Sequence, residues 1–139
     1  MEKVERFSVS IETALLRAFD NYLRQAGYTT RSEGIRDLIR ARIVEKEWQD
    51  PRAEVVGIIT LVYDHHKREL TDKLTDIQHK FLKEIISTTH IHLDRHNCLE
   101  VVIVRGRANR ISKIANTLIS TTGVKHGRLM TTTTGRSLR

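Results

Sequence analysis

The apolar positions of this chain change period several times. In Arg6-Phe7-Ser8-Val9-Ser10-Ile11 they alternate strictly. That predicts a strand with Phe7, Val9 and Ile11 on one face and Arg6, Ser8 and Ser10 on the other. Leu15, Ala18, Phe19, Tyr22 and Leu23 then recur at helical spacing, and Gly27 supplies a stop. Thr30-Arg31-Ser32-Glu33 has the form of a capping box, with Thr30 as N-cap and Glu33 reaching back. Behind it, Ile35, Leu38, Ile39 and Ile43 make the stripe of a second helix. The run Val55 to Tyr63 reads as a buried strand by length and β-branching. Leu70, Leu74, Ile77, Phe81 and Ile85 predict a helix over roughly 67–87. Thr88 to Leu93 is a predicted strand, Asp94 to Asn97 a turn, and Cys98 to Val104 another strand. A helix follows over 107–122, with Ile111, Ile114, Ala115, Leu118 and Ile119 inside, and a strand from Val124 to about Thr134 closes the pattern. The fold class is α+β: βαα, then βαββαβ in the ferredoxin-like order.

The one proline, Pro51, lies in Trp48-Gln49-Asp50-Pro51-Arg52 and marks a linker. This predicts an N-terminal domain over 1–48, a linker over 49–53 and a C-terminal domain over 54–139. A strand and two helices bury little surface alone, and a lone strand has two open edges. A two-fold dimer whose strands pair as an antiparallel ribbon solves both problems. Such a ribbon displays Arg6, Ser8 and Ser10 twice and fits the major groove of DNA, where Arg can bond guanine bidentately. The N-terminus of the second helix, near Thr30 and Ser32, offers N–H groups to a phosphate. The plainer reading is an edge strand with a polar solvent face.

Composition adds constraints. With 39% hydrophobic and 29% charged residues the chain is globular. No apolar run approaches the roughly 18 residues of a membrane span. Met1-Glu2-Lys3-Val4-Glu5-Arg6 lacks the apolar core of a signal peptide, so the expected location is the cytoplasm. The net charge of +7 tolerates nucleic acid as a partner but does not demonstrate it. Residues 1–48, however, carry 9 basic against 8 acidic side chains, so DNA contact there rests on placed arginines. All seven histidines and the single cysteine, Cys98, lie beyond the linker. A single thiol excludes an internal disulfide and is either plain core or chemical.

The candidate chemistry gathers in one hairpin. His90-Ile91-His92 puts two imidazoles on one face of a strand. If residue 92 pairs with 98, Cys98 stands across from His92 on that face, and a one-residue slip turns it away. Imidazole with thiolate suits Ni, Cu or Zn rather than Mg or Ca. His79 is a fourth candidate: with Leu82 and Ile86 it forms a second helix stripe that could meet another subunit, or it is simply exposed. Tyr63, Asp64 and Glu100 are either groups that orient the ligands or ordinary strand residues. His65, His66, His96 and His126 read as surface residues.

Arg6-Phe-Ser-Val-Ser10, Tyr28 through Arg40, Gln78-His79, His90-Ile-His92, Asn97-Cys-Leu-Glu100 and Val124-Lys-His-Gly127 together resemble the nickel-responsive transcription regulator family over the whole chain. The resemblance implies a ribbon-helix-helix dimer joined to ACT-like domains that assemble a homotetramer, a dimer of dimers. It implies square-planar Ni(II), one per subunit, held by His90, His92 and Cys98 of one subunit and His79 of a neighbour. It implies base-reading by Arg6, Ser8 and Ser10 on a double-stranded operator with two-fold half-sites, as a repressor of nickel uptake. It also maps a second cation onto Glu33 and Asp37, although Glu33 serves as a capping residue and Asp37 can pair with Arg40. Gly34 departs from the alanine usual there. A rival reading is an ACT-like regulator sensing an amino acid or another small molecule. A metal hydrolase is disfavoured: it needs an open coordination position, and the deaminase signature is absent.

Overall fold

The computed structural model describes residues 3–138; the ends of the two expected domains, residues 1–2 and 139, lie outside it. The chain divides into two compact units, Met1–Ala41 and Arg42–Arg139. In the first, residues 3–12 carry no sheet pairing, so the expected strand over 6–11 is not formed within one chain. The physical reason is that a strand needs a neighbour and this unit offers none. Phe7 and Val9 are accordingly 71% and 70% exposed. Helix α1 spans Thr13–Gln25 and ends where Gly27 adopts φ +82°, with the Tyr28 N–H closing on the Leu23 carbonyl at 2.9 Å. Helix α2 spans Arg31–Gln49. Thr30 Oγ1 accepts the Glu33 N–H at 3.2 Å, but the Glu33 carboxylate takes the Thr29 hydroxyl at 2.9 Å, so only half of the expected capping box forms. Gly34 lets the two helices meet closely: a Cβ there would stand 2.1 Å from Leu23 Cδ2.

The second unit carries strand β1 (Glu54–Asp64), helix α3 (Arg68–Lys80), β2 (Ile85–His92), β3 (Asn97–Arg107), α4 (Ala108–Ile119) and β4 (Val124–Thr132). The sheet order is β2-β3-β1-β4, with every pair antiparallel, as in a ferredoxin-like domain. Alternation sorts the two faces. Val55, Ile59, Leu61 and Tyr63 of β1 join Cys98, Val102 and Val104 of β3 beneath Leu70, Leu74 and Ile77 of α3 and Ile111, Ile114 and Leu118 of α4. The opposite face is apolar too, and both helices of this unit pack on the other side: Val56, Ile58, Val62, Val101 and Ile103 are half-buried, while Ile91 and Met130 are exposed.

Helix α3 ends at Lys80, not near residue 87. Phe81 and Ile85 continue the four-residue apolar spacing, yet they sit in a turn and at the start of β2. Ile85-Ile86 and Thr88-Thr89 are β-branched and favour the strand, which the Arg105 N–H joins through the Glu84 carbonyl at 2.8 Å. The expected helix stripe of His79, Leu82 and Ile86 therefore does not exist: Leu82 lies in the turn, and Ile86 falls where the β2–β3 register shifts. Strands β1 and β3 are longer than expected, and α4 and β4 shorter by a few residues.

Candidate metal centre

The expected register holds. His92 pairs with Cys98 and His90 with Glu100, so all four side chains share the helix-side face of the sheet. The four residues between the strands are tied by Asp94, whose Oδ1 accepts the N–H groups of His96 and Asn97 at 2.8 and 2.7 Å and whose Oδ2 accepts Asn97 Nδ2 at 2.8 Å. These bonds hold the Asp94 carboxyl far below the usual carboxylate range. Across β3, Tyr63 of β1 faces Cys98. Cys98 is fully enclosed, its Sγ 3.4 Å from the Tyr63 carbonyl, and burial pushes its thiol up. His90 and His92 lie exposed on the edge strand, their rings 5.3 Å apart. His79 is exposed in the last turn of α3.

Beside the imidazoles a polar chain runs from the core out to the exposed Thr88. The Tyr63 hydroxyl donates to Glu100 Oε2 at 2.5 Å, Gln78 Nε2 donates to Glu100 Oε1 at 2.6 Å, and Thr88 Oγ1 donates to Gln78 Oε1 at 3.0 Å. Glu100 is only 6% exposed, so both carboxylate oxygens are satisfied by neutral donors, as a buried charge requires. Burial first, then the Glu100 bond, pushes the Tyr63 phenol far above its ordinary value and keeps it a donor. The Tyr63 ring meets His90 edge-on at 6.0 Å. One network thus links β1, β2, β3 and the end of α3, next to His79. Gln78 and Thr88 were given no site role from sequence. The signal for Gln78 was its place beside His79; Thr88 gave none.

Asp64 turns away from this cluster and accepts the His66 N–H at 2.9 Å, which lowers its carboxyl. His65 is half-buried, not a surface residue; its ring stands 4.6 Å from that of His92 and 4.4 Å from His66, which in turn lies 5.5 Å from His96. Its desolvation, and then its histidine neighbours, lower its basicity. Among the described residues, no three His, Cys, Asp or Glu side chains of one chain converge tightly enough to enclose a metal. In the first unit Arg6, Ser8, Ser10, Thr30 and Ser32 are exposed. Asp37 accepts Tyr28 Oη at 2.9 Å and Arg40 at 3.0 Å, so both Asp37 and Glu33 have local partners.

Residues 56–132 match the family described as the NikR C terminal nickel binding domain. The chain belongs to the nickel-responsive regulator family. A protein of Caldanaerobacter subterraneus subsp. tengcongensis named as a nickel-responsive regulator is 56% identical over 138 residues, 99% of this chain and 90% of that one. One from Solibacter usitatus is 55% identical across the full length of both, and one from Pyrococcus furiosus is 53% identical over 97% of this chain and 98% of its own. The nickel-responsive regulators are thus matched over both units, and the nickel-binding domain coincides with the sheet that carries the hairpin.

Proposed function

We propose that this chain is a nickel-dependent DNA-binding transcriptional regulator, a repressor of nickel uptake acting in the cytoplasm. The observation that carries the reading is the pairing of His92 with Cys98, with His90 two residues along the same face. The donor chemistry fits: imidazoles and a thiolate suit nickel over hard cations. His90, His92 and Cys98 of one copy and the exposed His79 of a second would hold one Ni(II) per chain. Bound there, nickel would supply a three-imidazole, one-thiolate centre that joins two copies. Cys98 must give up its proton to ligate, so affinity falls as pH falls. The Tyr63–Glu100–Gln78–Thr88 chain fixes the strands and the α3 end from which the donors project.

DNA contact is assigned to the first unit. Its exposed Phe7 and Val9, with an open apolar cavity of about 430 Å³ that they line together with Ile11, Leu16, Phe19 and Ile35, suit a second copy whose strand completes a ribbon. Arg6, Ser8 and Ser10 would then face base edges, with Thr30 and Ser32 near a phosphate. The uncovered apolar sheet face suits the pairing of dimers into a tetramer. Response to metal requires that the ligated form bind the operator more tightly than the free form, because equal affinities shift nothing. A second cation at Glu33 and Asp37 would compete with the bonds they already accept.

The test is a nickel titration followed by absorption, with Cys98→Ala alongside and operator binding measured with and without metal. A thiolate-to-nickel charge-transfer band saturating at one metal per chain, lost in the variant, is the expected result. No band, or one indifferent to Cys98, would overturn the assignment.

A further inference from the structure

Strand β4 departs from regular pairing at one point. Gly127 lies opposite Leu61 and His126 opposite Val62, but Tyr63 is matched by Val124, so Lys125 is the extra residue of a bulge. Strict alternation would have set Lys125 opposite Tyr63, on the covered face two strands from Cys98. Burying an ammonium there is costly. The bulge instead gives that place to Val124, which packs against the core, and leaves Lys125 exposed. Bulges re-aim side chains in this way. The Lys125 Nζ donates to Asn97 Oδ1 at 2.5 Å, two strands away. Asn97 precedes Cys98, and its side-chain amide donates onward to Asp94 Oδ2 at 2.8 Å. Its backbone carbonyl accepts the Leu93 N–H at 2.9 Å. Lys125 therefore braces the whole turn that joins His92 to Cys98.

We propose that Lys125 is a positioning residue for the metal hairpin, acting through Asn97 to hold Cys98 in register with His92. This rests on the assignment of His92 and Cys98 as ligands. The residue touches no ligand itself, so its effect should be that of an outer partner, at the low end of the ten- to hundredfold range.

Lys125→Met removes the donor and keeps the stem; Lys125→Arg keeps a donor. Two readouts apply: amide exchange of residues 93–97 in the metal-free protein, and nickel affinity with the thiolate band by chelator competition. We expect the Met variant to unfold at nearly the wild-type temperature. The Asn97 amide should exchange roughly tenfold faster, and nickel affinity should fall about tenfold, both restored by Arg. Unchanged exchange and affinity in Lys125→Met would overturn the proposal, as would a Lys125→Arg protein as defective as the Met variant. If the wild type shows no thiolate–nickel band, the ligand assignment fails instead, and the exchange data still decide whether Lys125 braces the turn.

Discussion

At the residue scale, burial decides which polar groups matter. Glu100 is enclosed and depends on its two neutral donors. Tyr63→Phe removes one and leaves a carboxylate oxygen unpaired, which typically costs about 1–3 kcal/mol. We expect the urea midpoint to fall by that free energy divided by the slope, with the slope itself unchanged. The exposed pair of Asp20 and Arg31 behaves differently. Arg31 donates twice to Asp20, at 2.8 and 2.9 Å, and this holds the Asp20 carboxyl below its ordinary value. A depressed folded-state value means the pairing contributes fully above the unfolded value near ~3.9 and is lost as pH falls through the folded one. Carboxyl carbon NMR should show Asp20 titrating below that reference, and moving up to it in Arg31→Ala. The facing of His92 and Cys98 was legible in the sequence because a four-residue turn and a period of two fix which side chains meet. Gln78, Thr88 and Lys125 were not, because their partners lie on other elements 22, 10 and 28 residues away, respectively.

At the scale of elements, glycines set how closely α4 lies on the sheet. A Cβ at Gly127 would meet Ile119 Cγ1 at 2.7 Å and both Ile119 Cγ2 and Leu61 Cδ2 at 3.2 Å. Gly127→Ala should therefore lift α4 or force poor rotamers, at a cost of about 1–3 kcal/mol, read by thermal or urea unfolding. The element order was legible because each stretch keeps its own hydrophobic period. The end of α3 was not, since Phe81 and Ile85 keep the helix spacing although one sits in a turn and the other opens β2. The strand over 6–11 shows the opposite failure. Its alternation is clear, but a pattern specifies a face and not the neighbour that completes the pairing.

At the scale of the molecule, the proposed tetramer turns on the open sheet face. Val56, Ile58, Val62, Val101 and Ile103 with Ile91 and Met130 form a continuous apolar surface, larger than single scattered apolar residues would make. Met130 is 55% exposed, so Met130→Glu costs a monomer little. We expect sedimentation velocity to shift that variant to smaller species with unchanged circular dichroism. Persistence of the wild-type assembly would take this face out of the interface. The composition of the same unit has a further use. Its one sulfhydryl, Cys98, is sealed beneath the sheet, and no second cysteine competes for reagent. A thiol-specific dye therefore reacts only when that part of the fold opens, and its rate counts openings directly. The native chain carries its own clock for local unfolding, readable with no label engineered in.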